Sequence, residues 1–195
     1  DSPFVYWIQA KDLEKIVKLP VFEPKIGEVR QGLATGDDFR FVRTVWEVPP
    51  ENTRAVQKNT YGKSQGNQTW AYHVKAGASQ PWYSPITLKV NWLNNGKELK
   101  NFVDKNGKLR SRPQNLQYYF RPGFSWTLRA VRFIPYLIPS GCIPSVSRYM
   151  AFPRQGNELE AMIISASRVA SAYLRFYGEF WQRPKYLVET LKSLP

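Results

Sequence analysis

The sequence predicts an α+β fold, in which short strands in mixed or antiparallel order pack with a long helix at about 157–176. Fifteen prolines and twelve glycines are spread along the 195 residues, so the regular elements should be short and joined by turns. Hydrophobic residues make up 43% of the chain and aromatic residues 15%, which argues against disorder despite a mean hydropathy of −0.46. From Leu159 to Leu174, apolar residues recur at spacings of three and four, the period of an amphipathic helix.

We divide the chain into a lead-in segment at 1–24 and a domain at 25–195. Apolar residues at helical spacing predict a helix at 13–17, which ends before Pro20. The chain begins without methionine and ends abruptly, so we expect a piece of a longer protein. The lead-in should then connect the domain to an upstream region.

Within the domain, strand and helix patterns follow one another. Alternating polarity, or a short apolar run bounded by turn residues, predicts a strand. The expected strands are 26–29, 39–45, 70–72, 86–92, 133–139 and 143–146. One or two helical turns are expected at 97–103. Further helices are expected at 157–176, capped by Asn157 and ended by Gly178, and at 186–191.

Residues 105–132 carry the densest positive charge. No Asp or Glu lies between Asp104 and Glu158, and the nine basic residues of that span supply +9 of the formal net charge of +13. An Asn106–Gly107 turn should expose the lysines beside it at a hairpin-like tip. A second turn at 121–123 should present the aromatic residues that follow it. Cations neutralise phosphates, amides read base edges and rings stack on bases, so this composition favours a nucleic-acid partner.

Other functions remain open at this point. A binder of single-stranded nucleic acid or RNA would use Tyr118, Phe120 and Trp126 as stacking platforms. A nuclease would need Asp37, Asp38 and a divalent metal, although turn formation explains these aspartates better. A protein-interaction module would dock through its aromatic face, and a basic surface can exist without any polyanionic partner.

Several kinds of site are disfavoured. Cys142 is the only cysteine and His73 the only histidine, so we expect no disulfide within the chain and no Cys/His zinc site. His73 lies in a strand-like run, where a packed or surface histidine is expected rather than a catalytic base. No apolar run approaches the ~20 residues that span a bilayer, so we expect no membrane partner. The glycine-rich loop 32–36 lacks the Gly-Lys-Ser/Thr ending of a Walker loop, although Thr35 and its backbone N–H groups can hold a phosphate.

Three segments together resemble a known family. They are RQGLATGDD followed by FRF at 30–41, RSRPQN and YYFRPGFSW within 110–126, and PSGCI at 139–143. In this order, followed by an apolar helix, they are similar to the C-terminal specificity region of large DNA adenine-N6 methyltransferases. These are the type IIG restriction–modification enzymes and the similar methyltransferases of BREX-type phage-defence systems. The resemblance covers the chain from about Phe4 to its end.

The resemblance implies a target recognition domain of α+β type, whose strands carry loops that contact double-stranded DNA. It also implies a longer protein that works in the bacterial or archaeal cytoplasm as an S-adenosylmethionine-dependent, site-specific DNA adenine-N6 methyltransferase, with or without nuclease activity. The chain itself lacks the glycine-rich S-adenosylmethionine loop and the Asn/Asp-Pro-Pro-Tyr/Phe motif of the catalytic domain. We therefore expect no catalytic residue, cofactor or metal in this chain, and a contact with the methyltransferase domain of the same protein.

The residues expected to contact DNA lie in the central stretch and in the glycine-rich loop. Arginine can fork onto guanine, Gln and Asn can pair with adenine, and lysine takes phosphate. The candidates are Gln31, Thr35, Lys105, Lys108, Arg110, Arg112, Gln114, Asn115, Tyr118, Arg121, Ser125, Trp126 and Arg129. Some of these arginines are also expected to pack on Tyr118, Tyr119 or Trp126 and to stabilise the fold.

Overall fold

The computed structural model of the chain describes residues 9–53, 69–75, 80, 82–154, 156–177 and 184–195. The helices are α1 (Ala10–Val17), α2 (Phe22–Lys25), α3 (Asp38–Phe41), α4 (Leu93–Lys100), α5 (Glu158–Ser165), α6 (Arg168–Tyr177) and α7 (Val188–Lys192). The strands are β1 (Gly27–Arg30), β2 (Val42–Thr44), β3 (Trp70–Val74), β4 (Leu88–Asn91), β5 (Gly123–Trp126), β6 (Pro135–Ile138), β7 (Cys142–Pro144) and β8 (Met150–Pro153).

Four strands form an antiparallel sheet, sheet 1, in the order β1-β8-β5-β6. Helix α5 packs on β5, β6 and β8, whereas α2 and α7 pack on β1. Every residue of β5 and β8 is buried. Alternate residues of these strands enter different cores, Ala151 beneath the helices and Phe152 on the opposite side. A strand covered on both faces has no solvent-facing positions, which explains its lack of polar alternation.

The other four strands form sheet 2, in the order β2-β4-β3-β7, and only the β3–β7 pair is parallel. Two further backbone pairings extend this sheet beyond β7. Leu33 bridges to Ser145 in parallel, and Ala34 bridges to Arg112 in antiparallel orientation. The glycine-rich loop and the start of the central basic stretch therefore lie together at one edge of sheet 2. Helices and mostly antiparallel strands coexist in this architecture, so the predicted α+β class is confirmed.

The end of the predicted lead-in packs against the domain. The Phe22 ring meets Phe124 edge-on, with centroids 6.1 Å apart, and the Phe22 N–H donates to the carbonyl of Leu194 at 2.6 Å. Burial opposes ionisation of Glu23, but hydrogen bonds from the Val29 N–H and the Arg30 guanidinium outweigh it, so the pKa of Glu23 lies below its ordinary value. The domain boundary at residue 24 stays a prediction.

The strand expected at 39–45 was wrong. The Asp37 side chain accepts the backbone N–H of Arg40 at 3.1 Å, and this cap starts the one-turn helix α3. Only 42–44 of the expected strand is extended, as β2. The local cap outweighs the alternation of apolar residues that suggested a strand.

The single helix expected at 157–176 is two helices. The Ser165 hydroxyl donates to the Ala161 carbonyl at 2.7 Å, and the Ser167 hydroxyl accepts the Ala170 N–H at 3.1 Å, which starts α6. Asn157 occupies the N-cap position of α5 without a side-chain cap hydrogen bond. The predicted stop at Gly178 lies outside the described residues.

The helical turns expected at 97–103 begin and end earlier, as α4. Its first turn contains Asn94, Asn95 and Gly96 at positive φ, and regular helical dihedrals begin at Lys97. The predicted helix at 186–191 is confirmed as α7. Among the described residues, no helix has both the length and the apolar character needed to cross a membrane.

Candidate nucleic-acid interface

The glycine-rich loop 32–36 is a strand-like segment held between two neighbours. The Leu33 N–H donates to the carbonyl of Pro144 at 2.7 Å. On its other side, Ala34 and Arg112 exchange two backbone hydrogen bonds of 2.8 and 3.2 Å. These backbone groups pair inside the protein, so they are not available to cradle a phosphate.

The three amide candidates are bound to one another. The Gln114 Nε2 donates to the carbonyl of Gly32 at 3.1 Å and to the Gln31 Oε1 at 3.3 Å, and the Asn115 Nδ2 donates to the carbonyl of Gln31 at 3.0 Å. All three amide side chains are half-buried. In this arrangement they fasten the central stretch to the glycine-rich loop, and base readout by them stays a prediction.

The tip at 104–108 is a compact turn built on one aspartate. The Asp104 carboxylate accepts the backbone N–H groups of Asn106 and Lys108 at 2.8 and 2.9 Å, and the Gly107 N–H donates to the Asp104 carbonyl at 3.0 Å. Lys105 and Lys108 are exposed on either side of it. The hairpin-like tip predicted from Asn106–Gly107 is confirmed.

Arg110 follows the tip and is also exposed. Its guanidinium lies 5.3 Å from the centroid of the Phe102 ring, and that of Arg40 lies 5.0 Å from the same ring. Arg40 is paired with the Glu98 carboxylate at 2.6 Å, whereas the Arg110 guanidinium, among the described residues, donates only to the carbonyl of Gly36 at 3.3 Å. Arg110 therefore keeps most of its donors for a ligand.

We call the exposed cations of this region the basic edge. They lie on α4, on the tip and on the segment that pairs with the glycine-rich loop, and they are Lys97, Lys105, Lys108, Arg110 and Arg112. The two carboxylates among them are already engaged, Glu98 by Arg40 and Asp104 by the turn. The basic edge thus presents net positive charge at the end of sheet 2.

The prediction that Tyr118 faces DNA is wrong, because its side chain is only 6% exposed. The guanidiniums of Arg30 and Arg121 each lie 5.1 Å from its ring centroid. Arg30 is held in turn by Glu23 at 2.8 Å and by Glu28 at 3.1 Å. The prediction that an arginine packs on Tyr118 is confirmed for Arg121, which is half-buried and stabilises the fold.

Ser125 and Trp126 also belong to the core, and both are fully buried. The Trp126 Nε1–H donates to the carbonyl of Tyr186 at 3.0 Å, and the Ser125 hydroxyl donates to the carbonyl of Tyr149 at 2.8 Å. The turn at 121–123 therefore leads into a covered strand and presents no ring to a ligand. Both residues are removed from the candidate surface.

Thr35 is likewise buried, and its hydroxyl donates to Asp38 at 2.5 Å. Asp38 also pairs with Lys75, and Asp37 caps α3. Burial opposes ionisation of Asp38, but the bonds from Lys75 and Thr35 outweigh it and lower its pKa. These aspartates have structural partners, which weakens the nuclease hypothesis. In the described ranges, no group of three or more His, Cys, Asp or Glu side chains could hold a metal ion.

Arg129 is exposed, but it lies beside a different part of the fold. It bridges to Lys185, in the segment that precedes α7. None of the basic-edge residues shares that pairing. A role of Arg129 in DNA contact stays a prediction and would require a second contact region.

His73 and Cys142 are both packed in the interior. The His73 Nδ1 lies 3.0 Å from the carbonyl of Ile143, and burial lowers the pKa of His73 to about 4. Burial raises the pKa of the Cys142 thiol to about 12. A neutral imidazole inside a sheet and a protonated thiol fit packing better than catalysis.

Sequence reasoning missed four exposed aromatic side chains among the described residues, namely Phe39, Trp46, Trp82 and Tyr83. Phe39 on α3 is 95% exposed and Trp46 is 74% exposed. Phe39 lies three residues after Gly36, whose carbonyl contacts Arg110, so it stands beside the basic edge. The one-turn helix that turns this ring outward was not predicted, and the alternating pattern gave no signal for its exposure.

Comparison with known proteins places this geometry in context. Over 127 residues the chain is 30% identical to "Adenine-specific methyltransferase PglX" of Lacticaseibacillus casei (strain Zhang). This match covers 65% of the chain and 10% of that protein. Over 177 residues it is 25% identical to "Adenine-specific methyltransferase BrxX" of Escherichia coli O9:H4 (strain HS). This second match covers 90% of the chain and 13% of that protein. The chain spans about a tenth of the length of these curated relatives. No protein-family model matches it. The chain is therefore related to a segment of adenine-specific methyltransferases.

Proposed function

We propose that this chain is the region of an adenine-specific DNA methyltransferase that recognises a double-stranded DNA sequence. The methyltransferase is of the BREX or type IIG kind and acts in phage defence or restriction–modification. The observation that carries the proposal is the basic edge, which occurs in a chain related to adenine-specific methyltransferases. Methyl transfer from S-adenosylmethionine then belongs to another region of the longer protein, and this chain selects the site.

The lysines of the tip are suited to phosphate contacts. Lys105 and Lys108 carry compact charges on flexible stems, so they can follow a sugar–phosphate backbone without demanding one geometry. Such contacts release condensed counterions, and they set the affinity and register of the protein without reading sequence.

The arginines of the edge are suited to base readout. Arg112 is anchored by its backbone to Ala34, while its side chain is exposed. Arg110 rests on Phe102, which limits the orientations of its guanidinium. A planar guanidinium held in this way can donate two parallel hydrogen bonds to guanine O6 and N7 in the major groove.

The direct test is fluorescence anisotropy with labelled random duplex and with single-stranded DNA at several salt concentrations. We expect duplex binding in the range of about 10⁻⁴–10⁻⁶ M, typical of non-specific contacts, with weaker binding of the single strand. The double variant Lys105→Glu/Lys108→Glu should lose most of this affinity. The matched control Lys11→Glu/Lys25→Glu reverses two exposed lysines outside the basic edge and should lose less.

Absence of duplex binding at low salt would contradict the proposal, as would an equal loss in both double variants. A preference for the single strand would favour a single-strand binder. Such a protein could not use Tyr118, Phe120 and Trp126 as platforms, because all three are buried.

A second candidate function is docking onto the rest of a methyltransferase. Helices α5 and α6 leave aliphatic side chains uncovered, with Leu159 54%, Ile163 49%, Ile164 49% and Val169 80% exposed. Leu159 and Ile163 are four residues apart and share one helix face. An apolar face of this kind on a chain that spans about a tenth of its relatives' length favours an intramolecular partner.

This alternative is tested by mixing the chain with the L. casei relative from which the matching segment has been deleted. We expect co-elution in size-exclusion chromatography and its loss with Ile163→Asp. Leu116→Asp, at a residue that is 41% exposed elsewhere, is the control and should still co-elute. Co-elution that survives Ile163→Asp would exclude this face as the contact.

A further inference from the structure

A cleft of about 530 Å³ lies between the start of β6 and helix α6. Phe133 and Tyr186 line it as an edge-to-face pair, with ring centroids 5.2 Å apart. Trp82 stands at its rim. We call it the β6–α6 cleft. Its volume is in the range of small-molecule sites, and none of the basic-edge residues lines it.

Three arginines are among the residues that line this cleft. Arg132 precedes β6, whereas Arg168 and Arg175 lie with Ser171 on one face of α6, at spacings of three and four. The two helical arginines are two turns apart, so their Cα atoms are separated by about 10 Å along the axis. Among the described residues, no carboxylate lines the cleft and none of the three arginines forms an ion pair.

The electrostatics of the cleft agree with this arrangement. Burial raises the pKa of the Tyr186 phenol, and the positive charge of Arg175 opposes that rise. Arg175 and Tyr186 both line the cleft, so the arginine and the aromatic wall border the same space. A cleft whose described lining residues include several cations and no carboxylate is suited to an anion carrying more than one negative charge.

Trp82 is held in an unusual conformation at the rim. Its backbone φ is +70°, a region that bulky residues rarely adopt. Two hydrogen bonds secure it to the edge of sheet 1, from its N–H to the carbonyl of Pro135 at 3.3 Å and from the Leu137 N–H to its carbonyl at 3.2 Å. The indole is nevertheless 53% exposed, so this strained backbone presents a flat ring to solvent.

From these observations we propose that the β6–α6 cleft binds a nucleotide, with the base stacked on Trp82 and the phosphates held by Arg132, Arg168 and Arg175. A base has a flat π-face for the indole, and phosphate oxygens accept bidentate hydrogen bonds from guanidinium groups. The nucleotide can be free or can belong to a DNA strand, since both offer the same chemistry. The site uses other residues than the basic edge, so it does not rest on the function proposed above.

Isothermal titration calorimetry on the full chain tests this proposal with three probes. They are ATP, inorganic tripolyphosphate, and a short thymidine strand with a 5′-phosphate. We expect ATP to bind more tightly than tripolyphosphate, because only ATP has a base to stack. Competition between ATP and the strand shows whether the site prefers a free nucleotide or one within DNA.

Variants locate the binding. Arg168→Glu/Arg175→Glu should weaken ATP binding by at least about tenfold, since it replaces two charge-assisted contacts with repulsion. Trp82→Gly relieves the positive φ, so circular dichroism should show a retained fold while the advantage of ATP over tripolyphosphate disappears. The control Arg154→Glu, at an exposed arginine outside the cleft, should bind as the wild type does.

Lack of ATP binding by the wild type would overturn the proposal. Equal binding of ATP and tripolyphosphate would overturn the role of Trp82. If Arg154→Glu lost as much ATP binding as Arg168→Glu/Arg175→Glu, the loss would come from the change in net charge and not from the cleft. Lys105→Glu/Lys108→Glu should leave ATP binding unchanged while it weakens duplex binding. The proposal for the cleft and the proposal for the basic edge can therefore be refuted independently.

Discussion

Residues of one chemical type have different roles in this protein, because their burial differs. Lys89 is only 3% exposed, and its ammonium donates to the carbonyls of Val45 and Val48 at 3.3 and 3.1 Å and to the Thr53 hydroxyl at 2.7 Å. All three of its donors are used inside the protein, and burial lowers its pKa. Lys108, by contrast, is exposed and free to neutralise a phosphate. Net charge alone would count these two lysines equally.

Phosphate contacts and base contacts can be separated at the level of single residues. Lys108→Ala should weaken binding to all duplex sequences alike and lower the salt slope by about one. Arg112→Ala should relax one position of the recognised sequence and cost about 1–3 kcal/mol of discrimination there. Selection from a random duplex library, followed by anisotropy at several salt concentrations, measures both effects. If Arg112→Ala weakens every sequence equally, Arg112 does not read bases.

A second prediction concerns the exposed ring of Phe39. We expect Phe39→Ala to reduce duplex affinity, because an exposed apolar ring beside the basic edge can contact a thymine methyl group in the major groove. The side chain is 95% exposed, so its removal should change the free energy of unfolding by less than about 0.5 kcal/mol. Anisotropy and urea denaturation measure the two quantities. The control is Leu159→Ala, at an exposed position on α5, and it should leave DNA binding intact. If Phe39→Ala binds the duplex as tightly as the wild type does, Phe39 is not part of the interface.

The third prediction is a pH dependence of stability caused by His73. Its pKa falls from 6.5 to about 4 on folding, so the unfolded chain binds a proton more readily between these values. Stability should therefore decrease by about 3 kcal/mol as the pH falls from about 6.5 to 4, with no contribution from His73 above that window. The carboxylates of Glu23 and Asp38 have lowered pKa values, so their stabilising contributions are lost as the pH falls below their ordinary pKa values of 4.5 and 3.8.

Urea denaturation at a series of pH values measures this window. His73→Gln keeps a donor for the Ile143 carbonyl but cannot be protonated, and His73 is the only histidine of the chain. The variant should therefore lose much less stability between pH 6.5 and 4.5. An identical pH profile for variant and wild type would show that the imidazole does not titrate in this range.

At the scale of elements, the glycine-rich loop connects the basic edge to sheet 2. Its residues Leu33 and Ala34 lie between the end of β7 and Arg112, and each side contributes backbone hydrogen bonds. Gly36 then follows at a φ of +74°, with its Cα close to the backbone of Arg110. The position of the arginines thus depends on how closely two backbones approach.

This close approach gives a matched pair of substitutions. Gly36 and Gly107 both have a positive φ, +74° and +77°, but a Cβ on Gly36 would lie 2.7 Å from the Arg110 carbonyl oxygen, whereas one on Gly107 would meet nothing within 4 Å. Gly107→Ala should lower the free energy of unfolding by about 1–2 kcal/mol, because only the backbone conformation is strained. Gly36→Ala should cost more and should weaken duplex binding by moving Arg110. Urea denaturation and anisotropy test both, and equal stabilities of the two variants would contradict the close packing.

The break between α5 and α6 is also an effect at the element scale. Ser165 closes α5 through its hydroxyl, and Ser167 begins α6. One straight helix could not follow the same path, so the break sets the direction of α6. The α6 face that carries Arg168 and Arg175 therefore lines the β6–α6 cleft.

At the scale of the whole molecule, two sheets support two separate basic regions. A core cluster that includes Tyr118, Tyr136, Cys142 and Phe152 draws on β6, β7 and β8, so it joins sheet 1 to sheet 2. The basic edge belongs to sheet 2, and the β6–α6 cleft lies against sheet 1. The positive charge of the chain is therefore distributed over distinct surfaces.

A prediction at this scale is the salt dependence of duplex binding. With the three lysines of the basic edge on phosphates, log K should fall against log salt with a slope near −2.7, or about −0.9 for each contact, and near −4.5 if both arginines also contact phosphates. A much steeper slope would mean that cations outside the basic edge also engage the duplex, with Arg129 the first to test by Arg129→Ala. A slope near zero would contradict an electrostatic interface.

Features that depend on neighbouring residues could be predicted from the amino-acid sequence alone. The α+β class, the tip at Asn106–Gly107, helix α7 and most of the strands follow from local periodicity and turn chemistry, which act over a few residues. The concentration of positive charge at 105–132 is likewise a property of the chain alone. Charge and turn chemistry therefore suffice to place Lys105, Lys108, Arg110 and Arg112 on the surface.

Tertiary contacts determine which polar and aromatic side chains are free to meet a ligand. Trp126 donates to a carbonyl sixty residues later in the chain, and Gln114 bonds to Gln31 across 83 positions. Contacts of that range leave no trace in local spacing, so the aromatic residues of the central stretch resembled a stacking surface and became the core. Phe39 shows the converse, because a one-turn helix capped by Asp37 left exposed a ring that alternation had assigned to a strand. Burial depends on distant partners, and for this protein it separates the residues that hold the fold from those that can recognise another molecule.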